Sequence, residues 1–191
     1  MSEEAAPGEA LLTRALSGET AAFAALVRDQ QRSVYSLALR MLCDRQKAED
    51  LAQEVFLQLH RNLASIESTT HLAFWLRKVT VNRAIDRLRR EPKMEVLPLE
   101  AADTVADDGL DNDGLDADPL LVRRLRQLVN QLPPAPRAVV LLRYQEDLDP
   151  TEIARTLGMS INTVKSHLKR SLAVLRKGID VATGDAVRSR T

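Results

Sequence analysis

"TEIARTLGMSINTVKSHLKR", residues 151–170, decides how the rest of the chain is read. Just ahead of it, Asp149 stands where a helix N-cap would, Pro150 suits the first helical position, and Glu152 completes a capping-box spacing. Ile153, Ala154 and Leu157 supply a buried side, and Gly158 suits the left-handed turn that ends a helix. Ser160 is a natural N-cap for the next helix. At about 100° per residue, Val164, Leu168, Leu172, Leu175 and Ile179 form one apolar stripe. Asn162, Ser166, Lys169 and Arg170 point away from it, with Lys165 and His167 at its margins. The pattern predicts a helix-turn-helix whose second helix offers amide, hydroxyl and cationic groups to a major groove. Arg or Lys can read guanine there, Asn can read adenine, and the cations also neutralise phosphates. A basic surface helix in an ordinary bundle would share the charge. It would not call for the cap, Gly and Ser spacing, or for the absence of any acid from 153 to 179.

The composition of the 191 residues, 45% hydrophobic, 28% charged and 3% aromatic, suits a helical protein rich in Leu, Ala and Arg. No apolar run approaches the roughly 20 residues that span a bilayer. The opening "MSEEAAPGEA" is acidic and lacks the basic-then-apolar order of a signal peptide, so a cytoplasmic protein without membrane insertion is expected. A single cysteine, Cys43, excludes internal disulfides and multi-cysteine metal sites, and within "LALRMLCD" it reads as a buried apolar residue. Net charge is zero, but it is unevenly spread. Residues 1–94 carry 14 bases and 12 acids, residues 95–118 nine acids and no base, and residues 119–191 13 bases and six acids. A basic C-terminal segment behind an acidic stretch fits a nucleic-acid footprint.

That acidic stretch, "MEVLPLEAADTVADDGLDNDGLDADP" (94–119), has no helical apolar stripe and predicts a flexible linker. "DGLDNDG" invites comparison with a calcium loop. Placing Asp111, Asp113 and Gly114 at the third, fifth and sixth positions puts Gly109 first and Leu120 twelfth, so both ends of the ligand shell are missing. Helices are predicted near 9–17, 20–42, 45–63 and 71–90, then near 119–131, 135–145, 150–157 and 161–178. No segment alternates as a strand does. The expectation is an all-α chain: a domain at 1–93, the linker at 94–118, a helix-turn-helix domain at 119–179 and a tail at 180–191.

In "AEDLAQEVFLQLHRNL" (48–63), Ala48, Ala52, Val55, Leu59 and Leu63 share the predicted core side. Asp50, Gln53, Glu54, Leu57 and Arg61 fall on the other. A leucine framed by carboxylates and amides has the anatomy of a protein-binding patch, an apolar anchor within a polar rim. In "HLAFWLRKVTVNRAIDRLRR" (71–90), Phe74, Val81, Ile85 and Leu88 make one apolar face, with Trp75, Val79, Asn82 and Asp86 opposite. Arg77, Lys78, Arg83, Arg87, Arg89 and Arg90 surround the helix. Aromatic groups among cations can hold single-stranded DNA, where bases stack and phosphates are neutralised. They can equally be core beneath a solvated face, and this segment by itself leaves both readings open.

Three blocks in order, "KAEDLAQEVFLQLHRNL", "FWLRKVTVNRAIDRLRR" and "LPPAPRAVVLLRYQEDLDPTEIARTLGMSINTVKSHLKRSLAVLRK", resemble conserved regions of bacterial sigma factors. The group they resemble is the extracytoplasmic-function sigma factors, which keep two domains joined by a linker. The resemblance implies that Asp50, Gln53, Glu54 and Leu57 dock on the clamp helices of the polymerase beta-prime subunit, with the beta subunit a further contact. It implies that residues 66–75 form a loop capturing a flipped base of the minus-ten element. Thr69, Thr70, His71, Trp75, Lys78, Asn82 and Arg83 would then meet melted promoter DNA. Asn162, Thr163, Lys165, Ser166, Lys169 and Arg170 would meet the minus-thirty-five element. The linker would run near the RNA exit path, and an anti-sigma factor is an implied partner that no residue here identifies.

Other classes fit less well. "TEIARTLGMSINTVKSHL" also resembles the DNA-binding domain of response regulators, but the alternating strands and helices of a receiver are missing. For an enzyme acting on nucleic acid, His60, His71 and His167 are scattered, and neither a glycine-rich phosphate loop nor a metal-ligand cluster stands out, so no cofactor is expected. A protein-interaction bundle would leave the recognition helix unexplained.

Overall fold

The computed structural model describes residues 7–90 and 118–188, and the described residues are helical, without a strand. Most of the linker expected at 94–118 lies outside them, as does the calcium-like stretch. The helices are α1 (Pro7–Leu16), α2 (Thr20–Leu42), α3 (Arg45–Asn62) and α4 (Thr69–Arg90), then α5 (Pro119–Asn130), α6 (Pro134–Tyr144), α7 (Pro150–Leu157) and α8 (Ile161–Arg188). A short 3-10 turn, Leu63–Ser65, follows α3. Two compact units result, Met1–Ala84 and Ile85–Thr191. No described helix is long and apolar enough to cross a membrane.

In the first unit α2 packs against both α1 and α3. The α2 side chains Leu26, Val34, Leu37 and Met41 are buried, and so are Ala48, Leu51, Val55 and Leu59 of α3. Leu51, fully buried, takes the central place that periodicity assigned to Ala52, and Ala52 and Leu63 are only half-buried. The rings of Phe23 of α2 and His60 of α3 meet edge to face, with centroids 5.0 Å apart. Cys43 is half-buried rather than buried, and it closes α2 in the left-handed conformation at φ 56°. Asp44 then caps α3 by accepting the Lys47 N–H at 3.0 Å.

The core side of α4 differs most from expectation. Leu72, Leu76, Thr80 and Ala84 are buried along with Val81 and Ile85, while Phe74 and Leu88 are half-buried. Buried Thr80 donates its hydroxyl to the Leu76 carbonyl at 2.7 Å, which satisfies it within its own helix.

In the second unit α8 packs against α5, α6 and α7. Leu128, Leu132, Val140 and Leu175 form one buried cluster, flanked by Val129 and Ile179. Gly178 lies against it. A Cβ there would fall 2.5 Å from a methyl carbon of Leu128, so glycine lets α5 and α8 close together. Helix α8 therefore passes through Gly178 instead of ending there and continues to Arg188 across most of the expected tail. A mid-helix glycine weakens a helix without breaking it, and no proline follows. On α8 the buried stripe runs through Val164, Ser171 and Leu175, whereas Leu172 is 37% exposed.

The capping box at α7 forms as its spacing predicts. Asp149 accepts the N–H groups of Thr151 at 2.7 Å and Glu152 at 2.9 Å, and the Glu152 carboxylate accepts the Asp149 N–H at 2.8 Å. The Glu152 backbone N–H foremost, then that of Thr151, holds the Asp149 carboxyl below its ordinary range. A carboxyl depressed in the folded state stabilises above its unfolded pKa, and that contribution fades as pH falls through the folded value. Asp149→Asn keeps an acceptor. It is expected to melt close to the parent at acid pH and below it at neutral pH, whereas Asp149→Ala melts lower at both. Circular-dichroism melts across pH measure this, and a uniform deficit in Asp149→Asn would remove the charge argument.

Candidate nucleic-acid and protein interfaces

Gly158 sits at φ 65° and ends α7, and the Met159 N–H donates to the Ala154 carbonyl at 3.0 Å, the long bond of a Schellman turn. Ser160 Oγ accepts the Thr163 N–H at 3.1 Å and shares a hydrogen bond with Thr163 Oγ1 at 2.8 Å, which opens α8. A buried Val164 and half-buried Leu168 face the core. Asn162, Thr163, Lys165, Ser166, Lys169 and Arg170 are all exposed. The turn thus delivers a helix whose polar residues stand outward together, the geometry of a major-groove reader.

On α3, Leu57 is 59% exposed, and Asp50 and Gln53 beside it are exposed too. Glu54 is engaged. Its Oε2 accepts from Arg83 of α4 at 2.9 Å, and Arg83 Nε donates to Gln58 Oε1 at 2.9 Å. Arg83, expected among the DNA contacts, therefore turns toward the α3 face that carries the Leu57 patch. The pair is over two-fifths exposed on both sides, so its effect is orientation more than stability.

The remaining α4 residues sort by direction. The 66–75 segment is mostly helix rather than loop, because Ser68 Oγ accepts the His71 N–H at 3.0 Å and α4 starts at Thr69. Thr70 is exposed on the first turn. His71, Trp75, Lys78 and Asn82 recur at the spacing of one helix face, opposite buried Leu76 and Thr80. Lys78 is exposed and its Nζ lies 5.8 Å from the Phe74 ring centroid, and Asp86 and Arg89 pair at 3.9 Å further along the helix. Thr69 faces α1, where Glu9 takes both its N–H and its hydroxyl.

Local patterning does not reveal Glu9 and Gln58, which hold Thr69 and Arg83 at these surfaces, or Arg137 in the second unit. Arg137 is buried and donates to the carbonyls of Asn130 and Leu132, tying the turn between α5 and α6. An arginine flanked by apolar residues in "PAPRAVVLL" was the available signal. For Glu9 and Gln58 no local pattern exists.

Residues 26–93 match the sigma-70 region 2 family and residues 122–175 match sigma-70 region 4. The ECF RNA polymerase sigma factor SigW of Bacillus subtilis strain 168 is 32% identical over 168 residues, covering 84% of this chain and 90% of that protein. Two solved structures share the fold at 20% identity. CnrH in complex with the cytosolic domain of CnrY aligns with a TM-score of 0.64 over 91% of this chain and 97% of that one. The sigma factor RpoE in complex with the anti-sigma factor NepR from Bartonella quintana aligns with a TM-score of 0.60 over 83% and 97%. With both regions matched in order and such a relative along most of its length, the chain belongs to the extracytoplasmic-function sigma factors, alternative factors that direct RNA polymerase in transcription initiation.

Proposed function

We propose that residues 1–93 dock on core RNA polymerase and hold the melted minus-ten strand, and that residues 119–179 read the minus-thirty-five element. Residues 94–118 are then an acidic tether near the RNA exit path. The observation that carries the reading is the recognition helix: Asn162, Ser166, Lys169 and Arg170 stand exposed opposite the buried Val164 stripe. Asp50, Gln53, Glu54 and Leu57 meet the beta-prime clamp helices, and the beta subunit makes a further contact. His71, Trp75, Lys78 and Asn82 meet the unpaired strand, with Thr70 at its edge. Such a factor acts by binding, without a catalytic group. The solved RpoE is a complex with an anti-sigma factor, and a partner of that kind is proposed to hold this chain inactive. Polymerase and promoter as partners place its action in the cytoplasm. Copurification with core polymerase, followed by promoter-specific transcription from the reconstituted holoenzyme, tests the reading. A chain that binds promoter DNA but never core polymerase would be an ordinary regulator instead.

Flipping a base out of the stack costs on the order of a few kcal/mol, which stacking and hydrogen bonds in a pocket must offset. Asn82, half-buried two turns beyond Trp75, would supply part of that. Asn82→Ala is expected to slow promoter opening several-fold in the holoenzyme and to leave closed-complex affinity close to the parent. Permanganate reactivity against filter binding separates the two steps, and equal losses would make Asn82 a residue of the fold only.

A further inference from the structure

Helix α1 lies ahead of every matched region, yet its first turn is docked on the start of α4. Glu9 Oε1 accepts the Thr69 N–H at 2.8 Å and the Thr69 hydroxyl at 2.6 Å, across 60 residues of sequence. Thr69 is the first residue of α4, so its N–H is among the donors that a helix start leaves without a partner in the helix. Two local bonds already shape this end. Ser68 Oγ takes the His71 N–H, and His71 Nδ1 accepts the Glu67 N–H at 3.3 Å. Glu9 adds a cap from another helix, and a carboxylate at a helix N-terminus is favoured by the dipole as well. The Thr69 hydroxyl first, and its N–H second, hold the Glu9 carboxyl below its ordinary range. Gly8 supports the same contact independently. A Cβ at Gly8 would come 3.2 Å from Thr69 Cγ2, tighter than ordinary packing, so the smallest residue stands where α1 approaches α4.

We propose that Glu9 is a positioning residue for minus-ten recognition, a cap supplied by α1 that fixes the first turn of α4 and so the placing of His71, Trp75 and Asn82. The proposal rests on the minus-ten assignment of that face. A helix transmits a shift at its first turn to the residues one and two turns on, and binding groups tolerate displacements of only about 0.5 Å. Thr69 becomes an anchor of the surface instead of a DNA contact.

Holoenzyme reconstituted with full-length variants tests this. Glu9→Ala is expected to slow open-complex formation several-fold, read by permanganate reactivity of unpaired thymines, with core-polymerase affinity unchanged. Glu9→Gln keeps an acceptor oxygen and should recover most of the rate. Adding Thr69→Val to Glu9→Ala should bring no further loss, because the hydroxyl has already lost its partner. The proposal is overturned if Glu9→Ala opens promoters at the parental rate, if the two substitutions act additively, or if core affinity and opening fall together. Trp75→Ala tells the two levels apart. Normal opening by Trp75→Ala removes the minus-ten reading and this inference with it, whereas slow opening by Trp75→Ala beside parental Glu9→Ala removes the inference alone.

Discussion

Leu57→Asp is expected to weaken binding to core RNA polymerase by at least about tenfold, the loss typical of an interface anchor, with thermal unfolding nearly unchanged. Leu57 is 59% exposed on α3, opposite the buried line of Ala48, Leu51, Val55 and Leu59. Surface substitutions of that kind shift stability by no more than about 0.5 kcal/mol. In an interface the same leucine would be the apolar anchor inside a rim of Asp50, Gln53 and Glu54, with Arg83, itself bonded to Gln58, holding the Glu54 carboxylate. Introducing a carboxylate there removes the anchor and adds like charge to an acidic rim. Leu51→Asp is the contrasting control. It buries a charge at a position with no exposure and should leave no folded chain to assay. Titration of labelled core polymerase, alongside a melting curve, measures both properties. Collapse of the fold in Leu57→Asp would mean that α3 turns a different face outward.

Arg170→Ala and Lys165→Ala are expected to fail in different ways. Both residues are exposed on α8, but Arg170 lies with Asn162, Ser166 and Lys169 while Lys165 stands at the margin of that face. A guanidinium can bond a guanine edge through two parallel N–H groups, whereas an ammonium is a point charge suited to phosphate. Losing a bidentate base contact costs about 1–3 kcal/mol and relaxes preference at one base pair. Losing a phosphate contact weakens every sequence alike and lowers the salt slope by about one. Arg170→Ala should therefore change selectivity within the minus-thirty-five element, and Lys165→Ala should lower affinity without changing it. Binding of each variant to a randomised duplex library at two salt concentrations distinguishes them. Uniform weakening by Arg170→Ala would make it a phosphate clamp and move the reader to Asn162, Ser166 or Lys169.

Whatever depends on neighbours within a turn or two of helix was legible in the residue pattern. The Asp149–Glu152 box, the left-handed Gly158 and the Ser160 cap each involve residues at most five apart, so their spacing alone forms the helix-turn-helix. The outward Leu57 and the exposed face of α8 follow from the same periodicity. The margins were settled by packing between helices. Periodicity orients a stripe to within one residue step, and which flanking residue is buried depends on where the next helix lies. So Leu51 displaces Ala52, Ser171 is buried where Leu172 was expected, and α4 turns Leu72, Leu76 and Thr80 inward. Arg83 was a cation on a helix until α3 brought Glu54 and Gln58 beside it, 29 and 25 residues away. Glu9 meets Thr69 across 60 residues. A hydrogen bond between groups so distant in the chain leaves no spacing to read, because its geometry exists only once the helices have packed.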